Sequence, residues 1–232
     1  MIDNKVVSAL LPVKAFSRRV ENKNIRHLGQ YTLLERKILQ LQKSKFIDRV
    51  YVGSDSDEIL KVAEDFGALP IKRDAKACNE SQASANLMIK DFVNRVDTDI
   101  AVWAHVTNPF VYEEHYDQAI EAFNVAEDYD SLVSLTEIQS HMWNKHFFPI
   151  NFNPYAEKHP FASECDSYYY QNGAIFIQEL DNFKSNSYFY GNKPRSFVLD
   201  EMVAYDINTP EEFEIAEQLQ SYMDKLHGFS KT

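Results

Sequence analysis

The sequence predicts an α/β protein, a mostly parallel sheet with flanking helices, and two observations lead there. Over the first two-thirds of the chain, short β-branched runs alternate with longer segments of helical period, the pattern of strand, crossover helix and parallel strand. The central run Ile100 to Val106 is apolar without alternation, as a strand covered on both faces must be. With 232 residues, 44% of them hydrophobic and 25% charged, the chain can bury one large core, and nothing in it reads as a linker. We therefore expect a single domain over residues 1–232 with one excursion at about 139–170.

Val6 to Leu11 reads as the first strand. Thr32 and Glu35 have capping-box spacing, and Leu34, Ile38 and Leu41 then share one helical face. Arg49 to Gly53 is the next strand, after which Asp55 and Glu58 repeat the capping-box spacing and Gly67 closes the helix. A short strand at Leu69 to Lys72 precedes a helix expected over about Ser81 to Val96. Pro109 breaks the chain after the central strand; Glu113 to Glu127 reads as a helix and Ser131 to Leu135 as a buried strand. From Gln139 to Tyr170 periodicity fails, with Pro149, Pro154 and Pro160 among many aromatics. Gly173 to Ile177 returns as a strand. Thr209-Pro210-Glu211-Glu212 places an N-cap, a first-turn proline and a third-position glutamate in register for a last helix to about Leu226.

A formal net charge of −11 argues against a protein that grips nucleic acid by neutralising phosphates, although it leaves room for a local basic pocket. No apolar run is long enough to span a bilayer, and Met1 to Lys5 leads into a strand rather than a signal peptide. A cytoplasmic protein with no membrane partner is expected. Cys78 and Cys165 form no CxxC pair and read as reduced thiols. His141 and His146 are spaced for neither one helix face nor one strand face, so zinc is not expected there. Tyr168, Tyr169 and Tyr170 read as core or interface aromatics rather than as platforms for bases.

Chemistry concentrates after the first strand, in Leu11-Pro12-Val13-Lys14-Ala15-Phe16-Ser17-Arg18-Arg19-Val20-Glu21-Asn22-Lys23-Asn24. Ligands of α/β sheets bind beyond the carboxyl ends of strands. Lys14, Arg18 and Lys23 there can neutralise phosphate charge, while Ser17 and backbone N–H groups can donate hydrogen bonds. Composition alone would equally allow a solvated basic loop.

Order and spacing favour the first reading, because the segment resembles the N-terminal signature of acylneuraminate cytidylyltransferases and of the related Kdo cytidylyltransferases. There a proline after strand one is followed by Arg, Ser, a basic residue and finally Lys-Asn. Lys14 stands at the Arg, Ser17 at the Ser, Arg18 at the basic position and Lys23-Asn24 at the closing pair, with Ala15 and Phe16 where the family has glycines. The resemblance continues collinearly. Ser54 to Ile59 is similar to the turn after strand two, and Arg73 with Ser81 to Ser84 to a segment near the nucleotide. Val106-Thr107-Asn108-Pro109 resembles a Thr-Ser-Pro-Leu turn, placing His105 and Thr107 toward the sugar. Gln171-Asn172-Gly173-Ala174-Ile175 is close to the Asn-Gly-Ala-Ile-Tyr strand that helps hold the sugar, and Gly191-Asn192-Lys193 resembles a later glycine-lysine turn. Asp206-Ile207-Asn208-Thr209 is similar to an Asp-Ile-Asp-Thr segment. Alternate residues of a strand share a face, so Asp206 and Asn208 can converge on one Mg²⁺, which prefers oxygen ligands and keeps waters.

The resemblance implies a Rossmann-like fold of the nucleotide-diphospho-sugar transferase type, with a dimerisation insertion in the aromatic excursion. It implies transfer of CMP from CTP to an acidic 2-keto-3-deoxy sugar with release of pyrophosphate. Lys14, Arg18, Lys23 and Asp206 would be the catalytic groups, and Lys14, Ser17, Arg18, Lys23, Asn24, Arg73 and Ser84 would bind the nucleotide. His105, Thr107, Gln171, Asn172 and Gly173 would bind the sugar, and Asp206 and Asn208 the metal. Two alternatives stand beside it: a related transferase for another sugar or nucleotide, and a noncatalytic binding homologue, for which Lys14, Ala15, Phe16 and Asn208 speak.

Overall fold

The computed structural model describes residues 2–14, 20, 23–79, 81–125 and 128–229. Its strands are β1 (Val7–Pro12), a small hairpin of β2 (His27–Leu28) and β3 (Tyr31–Thr32), then β4 (Arg49–Ser54), β5 (Leu69–Lys72), β6 (Ile100–Ala104), β7 (Ser131–Ile138), β8 (Tyr168–Glu179) and β9 (Pro194–Val198). Its helices are α1 (Leu33–Gln42), α2 (Asp57–Asp65), α3 (Ala75–Cys78), α4 (Ala85–Val93), α5 (Glu113–Asn124), α6 (Leu180–Asn186) and α7 (Pro210–Leu226). A seven-stranded sheet has the order β5-β4-β1-β6-β8-β7-β9, and only β8 runs against its neighbours.

Period-two alternation in the strands divides the core between two faces. Val7, Ala9 and Leu11 of β1, with Val50, Val52 and Val102 beside them, pack under α1, α2, α5 and α7 through Ile38, Ile59, Ile120 and Phe213. Leu10, Tyr51, Trp103 and Phe176 point to the other face, against Phe92 of α4 and Phe183 of α6. Each fully buried Leu, Ile or Phe contributes about 1.5–3 kcal/mol. No helix among the described residues is long and apolar enough to cross a membrane.

Local caps set several boundaries. Thr32 and Glu35 form the reciprocal box that starts α1, and Thr209 with Glu212 does the same for α7 behind Pro210. At α2 the cap is Ser56, whose hydroxyl accepts from Ile59 N, and not the expected Asp55. Gly67 ends that helix with φ +77°. The helix expected over Ser81 to Val96 is shorter and has a separate turn before it. Asp74 caps α3, Asn79 O then takes the N–H groups of Gln82 and Ala83, and Ser84 starts α4. β8 starts five residues before the expected strand, and α6 and β9 were not legible as elements in the sequence.

Residues between β7 and β8 form an irregular excursion held by side chains on backbone groups. Asn151 receives Met142 N–H and donates to Ser140 O and Asp166 O, and Gln139 reaches Ser163 O and Cys165 O. His141 Nε2 lies 3.0 Å from Pro160 O. Tyr168, Tyr169 and Tyr170 are part-exposed on the first half of β8 rather than core. Cys78 and Cys165 are both buried and unpaired.

Candidate active site

A cleft of about 660 Å³ opens at the carboxyl ends of β1, β5 and β6, where the parallel topology aims strand ends and loops at a ligand. Its lining includes Lys14, Lys23 and Asn24, Arg73 and Ser84, and His105, Thr107, Gly173, Asp206 and Asn208. Gln171 and Asn172 are not in its lining. Ser17 and Arg18 lie outside the described residues. A smaller cavity of about 370 Å³ sits at the amino ends of β4 and β5, the end this topology does not direct at ligands.

The basic side is tied to the acidic one through backbone groups. Asn24 Nδ2 donates to Lys14 O at 3.0 Å, and the buried Lys23 donates its ammonium to Ile207 O at 2.7 Å, between Asp206 and Asn208. Lys23 thus brings positive charge beside the Asp206 segment. Arg73 is committed more fully. Its guanidinium donates to Asp91 Oδ2 at 3.0 Å and Met88 O at 2.7 Å and lies over the Phe92 ring. Gly53 makes room for it, since a Cβ there would stand 2.6 Å from Arg73 Cδ. Arg73 therefore shapes the wall by packing. Ser84 spends its hydroxyl lone pair on Leu87 N as the cap of α4.

Asp206 lies in an irregular segment between Val203 and the start of α7. Its Oδ2 accepts from Asn208 Nδ2 at 2.6 Å, whereas Oδ1 is buried without a hydrogen-bond partner among the described residues. A buried carboxylate oxygen left bare destabilises the fold unless something completes it. A hard cation is one such completion, because oxygen donors suit it. Asn208 turns its amide nitrogen to Asp206 here, so both residues could share an ion only with that amide reversed.

The Asn-Gly segment of β8 departs from its expected role. Between Val133 and Leu135 β7 advances two residues, while β8 advances from Phe176 back to Gln171, leaving a bulge opposite Ser134. Asn172 fills it. Ser134 Oγ donates to Asn172 Oδ1 at 2.6 Å, Ala174 N donates to the same oxygen, and Asn172 Nδ2 donates to Thr136 Oγ1. Asn172 thus fixes strand geometry rather than facing the cleft, and Gln171 points to solvent. Gly173, at φ +75°, turns its carbonyl to His105.

His105 is held at both nitrogens. Trp103 Nε1–H can only donate, and it lies 3.1 Å from His105 Nε2, so that nitrogen must accept. Nδ1 then carries the proton and donates it to Gly173 O at 2.7 Å. Burial lowers the imidazole pKa, in keeping with this neutral tautomer. His105 therefore has no ring nitrogen left for a sugar and serves to lock β6 onto the bulge. Trp103 was the signal available for this, two residues earlier on the same strand face.

Asn108 lies within the Thr107-Asn108-Pro109 turn but receives no role of its own from motif reading. It is buried, and its amide nitrogen reaches Ala204 O at 3.0 Å and Tyr205 O at 3.4 Å. A second group of metal-ligand types, Glu114, His115 and His227, joins α5 to the end of α7. There His115 Nδ1 accepts from Tyr112 N, which leaves the proton on Nε2 and disqualifies that nitrogen as a metal ligand; His227 Nδ1 pairs with Glu114.

The cytidylyltransferase family model matches residues 9–230. N-acylneuraminate cytidylyltransferase of Escherichia coli O18:K1:H7 is 24% identical over 221 residues, covering 92% of this chain and 52% of that protein. The chain thus spans about half the length of several curated relatives it matches. CMP-N,N′-diacetyllegionaminic acid synthase of Campylobacter jejuni is 28% identical, covering 88% of this chain and 91% of that one. Among solved structures, CMP:2-keto-3-deoxy-manno-octonic acid synthetase complexed with CTP superposes with a TM-score of 0.71 at 13% identity, over 94% of this chain and 99% of that one. That likeness is one of fold.

Proposed function

The chain belongs to the cytidylyltransferase family, and we propose that this member transfers CMP from CTP to an acidic 2-keto-3-deoxy sugar of the sialic-acid kind, releasing pyrophosphate. The observation that carries the reading is the cleft at the strand ends, whose lining combines Lys14 and Lys23 with the Asp206 carboxylate, one oxygen of which has no hydrogen-bond partner among the described residues. A triphosphate needs cations along its length and a carboxylate-bound cation at its reacting end, and this arrangement offers both kinds of group. The similarity to the CMP-N,N′-diacetyllegionaminic acid synthase over most of both chains supports the sugar class.

In this reading the anomeric hydroxyl oxygen bonds to the α-phosphorus as the bond to the bridging oxygen breaks, the electron pair leaves with pyrophosphate, and the hydroxyl proton passes to solvent. Such a displacement depends on positioning and charge stabilisation more than on a covalent nucleophile. Lys14 and Lys23, with Arg18 and Ser17 of the same segment, hold the phosphates. Asn24 keeps Lys14's backbone in place. Thr107 and the Gly173 bulge form the sugar side, and His105 sets that wall without exchanging a proton. Mg²⁺ is the cation we assign to Asp206 and Asn208; when bound it neutralises phosphate charge.

Assembly and location belong to the same proposal. Trp143, Phe147, Phe148, Tyr155 and Phe161 are exposed on the excursion, a density of aromatic surface that a homodimer partner would cover. Light scattering at micromolar concentration reads this, and a monomer removes it. A cytoplasmic location, where CTP is available, fits the two reduced thiols.

The deciding experiment is pyrophosphate release with CTP, ATP or GTP and a panel of 3-deoxy-2-ulosonic acids. Release that requires CTP and one acidic sugar is the expected result. Release with neither, together with CTP-dependent thermal stabilisation, would instead identify a noncatalytic binding homologue.

A further inference from the structure

We propose that Asn108 is the positioning residue for Asp206, setting where its carboxylate stands in the cleft. The inference rests on the functional reading above and assigns a residue which that reading leaves without a role. Asp206 belongs to neither helix nor strand, so no ladder of backbone hydrogen bonds fixes it. Beside the Lys23 ammonium on Ile207 O and the Asn208 amide on the carboxylate itself, the turn after β6 holds the segment at two points. Asn108 Nδ2 bridges the carbonyls of Ala204 and Tyr205 just before Asp206, and Thr107 O accepts from Ile207 N at 2.9 Å just after it. Beyond Ile207 the α7 capping box takes over, with Glu212 Oε2 accepting from Asn208 N and Thr209 N.

The clamp is rigid because its own base is anchored. Pro109 O accepts from both Arg36 Nε and Gln40 Nε2 of α1, each at 2.8 Å, and Asn108 is 1% exposed. One amide therefore joins the helix layer to the carboxylate segment. The geometry calls for a side chain that donates two hydrogen bonds from one nitrogen. Asp is isosteric but would place an acceptor against two carbonyl oxygens, and Ala would take this donor from both carbonyls, of which the Ala204 contact is buried. Loss of a partner that orients a metal-binding carboxylate weakens metal binding by about 10–100-fold.

The test is Mn²⁺ binding followed by electron paramagnetic resonance in the presence of CTP, with Mn²⁺ as an oxygen-preferring probe for the Mg²⁺ site. Wild type, Asn108→Ala, Asn108→Ser, Asp206→Asn and the double variant Asn108→Ala/Asp206→Asn are compared, with circular dichroism to establish folding. We expect Asn108→Ala to bind Mn²⁺ roughly tenfold more weakly, Asn108→Ser to fall between it and wild type, and the double variant to match Asp206→Asn alone. Non-additivity is the signature, because a residue that acts only through Asp206 has nothing further to lose once that carboxylate is gone. Folded Asn108→Ala protein that binds Mn²⁺ like wild type, or losses that add, overturns the role. If Asn108→Ala does not fold, Asn108→Ser carries the comparison, and wild-type affinity in it overturns the role equally. A wild type that binds no Mn²⁺ with CTP overturns the functional reading and this role together, whereas a difference confined to the variants separates the two.

Discussion

Two groups of buried polar side chains meet at the segment after β6, and they use their atoms differently. On the α1 side, Arg36 donates to Pro109 O and Tyr112 OH and pairs with Asp224, while the fully buried Lys37 donates to Val111 O and Tyr116 OH. Burial pushes the Lys37 pKa well down, so the amine there is held by hydrogen bonds rather than by a counter-charge. On the cleft side, Asp206 leaves Oδ1 without a hydrogen-bond partner among the described residues. Gln40 Oε1 is bare as well, but it is absent from the cleft lining. A polar cluster shut away from the cleft is architecture, and an unpartnered atom indicates function only where a ligand can reach it.

The largest effect should come from breaking the α1 side. Arg36→Met leaves the Asp224 carboxylate without its guanidinium partner and Pro109 O without one donor, and should lower unfolding free energy by about 3–5 kcal/mol in urea titrations. A loss under 1 kcal/mol would mean that the pair is dispensable and the contrast between the clusters misdrawn. Next in size is Asp206→Asn on the unsaturated side, where pyrophosphate release should drop about 100-fold or more while thermal stability holds or rises. Equal activity at every Mg²⁺ concentration would remove the proposed metal site, and Asn208→Asp should shift half-saturation to lower Mg²⁺ if the two residues share an ion.

The smallest effect is one of pH. His105 and His115 both have pKa values lowered by burial, so the unfolded chain takes up protons at a higher pH than the native one does. Their contribution to stability is full above the unfolded value of about 6.5 and is lost as pH falls below it toward their folded values. His105→Asn should flatten the decline in melting temperature between pH 7 and pH 5 relative to wild type. An unchanged slope would show that His105 is already charged in the fold, against the tautomer set by Trp103 and Gly173.

What the sequence discloses depends on how far apart the interacting groups lie along it. Thr32 with Glu35, and Thr209 with Glu212, settle their helices within four residues, so both helix starts are readable. Asp55 and Ser56 are both acceptable caps, and only the backbone decides between them. β9 is an edge strand with no fully buried residue, recognisable only once β7 pairs with it. In the site, the cluster of cations and the Asp206 segment are visible as residue types in order. That Asn172 closes a bulge, that His105 has no nitrogen to spare and that Asn108 grips a segment 96 residues away are facts of tertiary packing. Sequence spacing carries no trace of the first and the last, and for His105 it offers only Trp103, two residues earlier.

The reversed direction of β8 bears on how this chain can change over time. Because β8 runs against β7 and Ile138 pairs with Tyr168, the intervening excursion leaves and returns through one doorway, at the same end of the sheet as the cleft. Chain can be added or deleted there without touching a crossover helix, and each doubling of a flexible loop's length costs only about 0.6 kcal/mol in closure entropy. The fold thereby keeps its longest irregular stretch beside its ligand end, so change in that stretch can alter reach, company and selectivity while the sheet goes on folding as before.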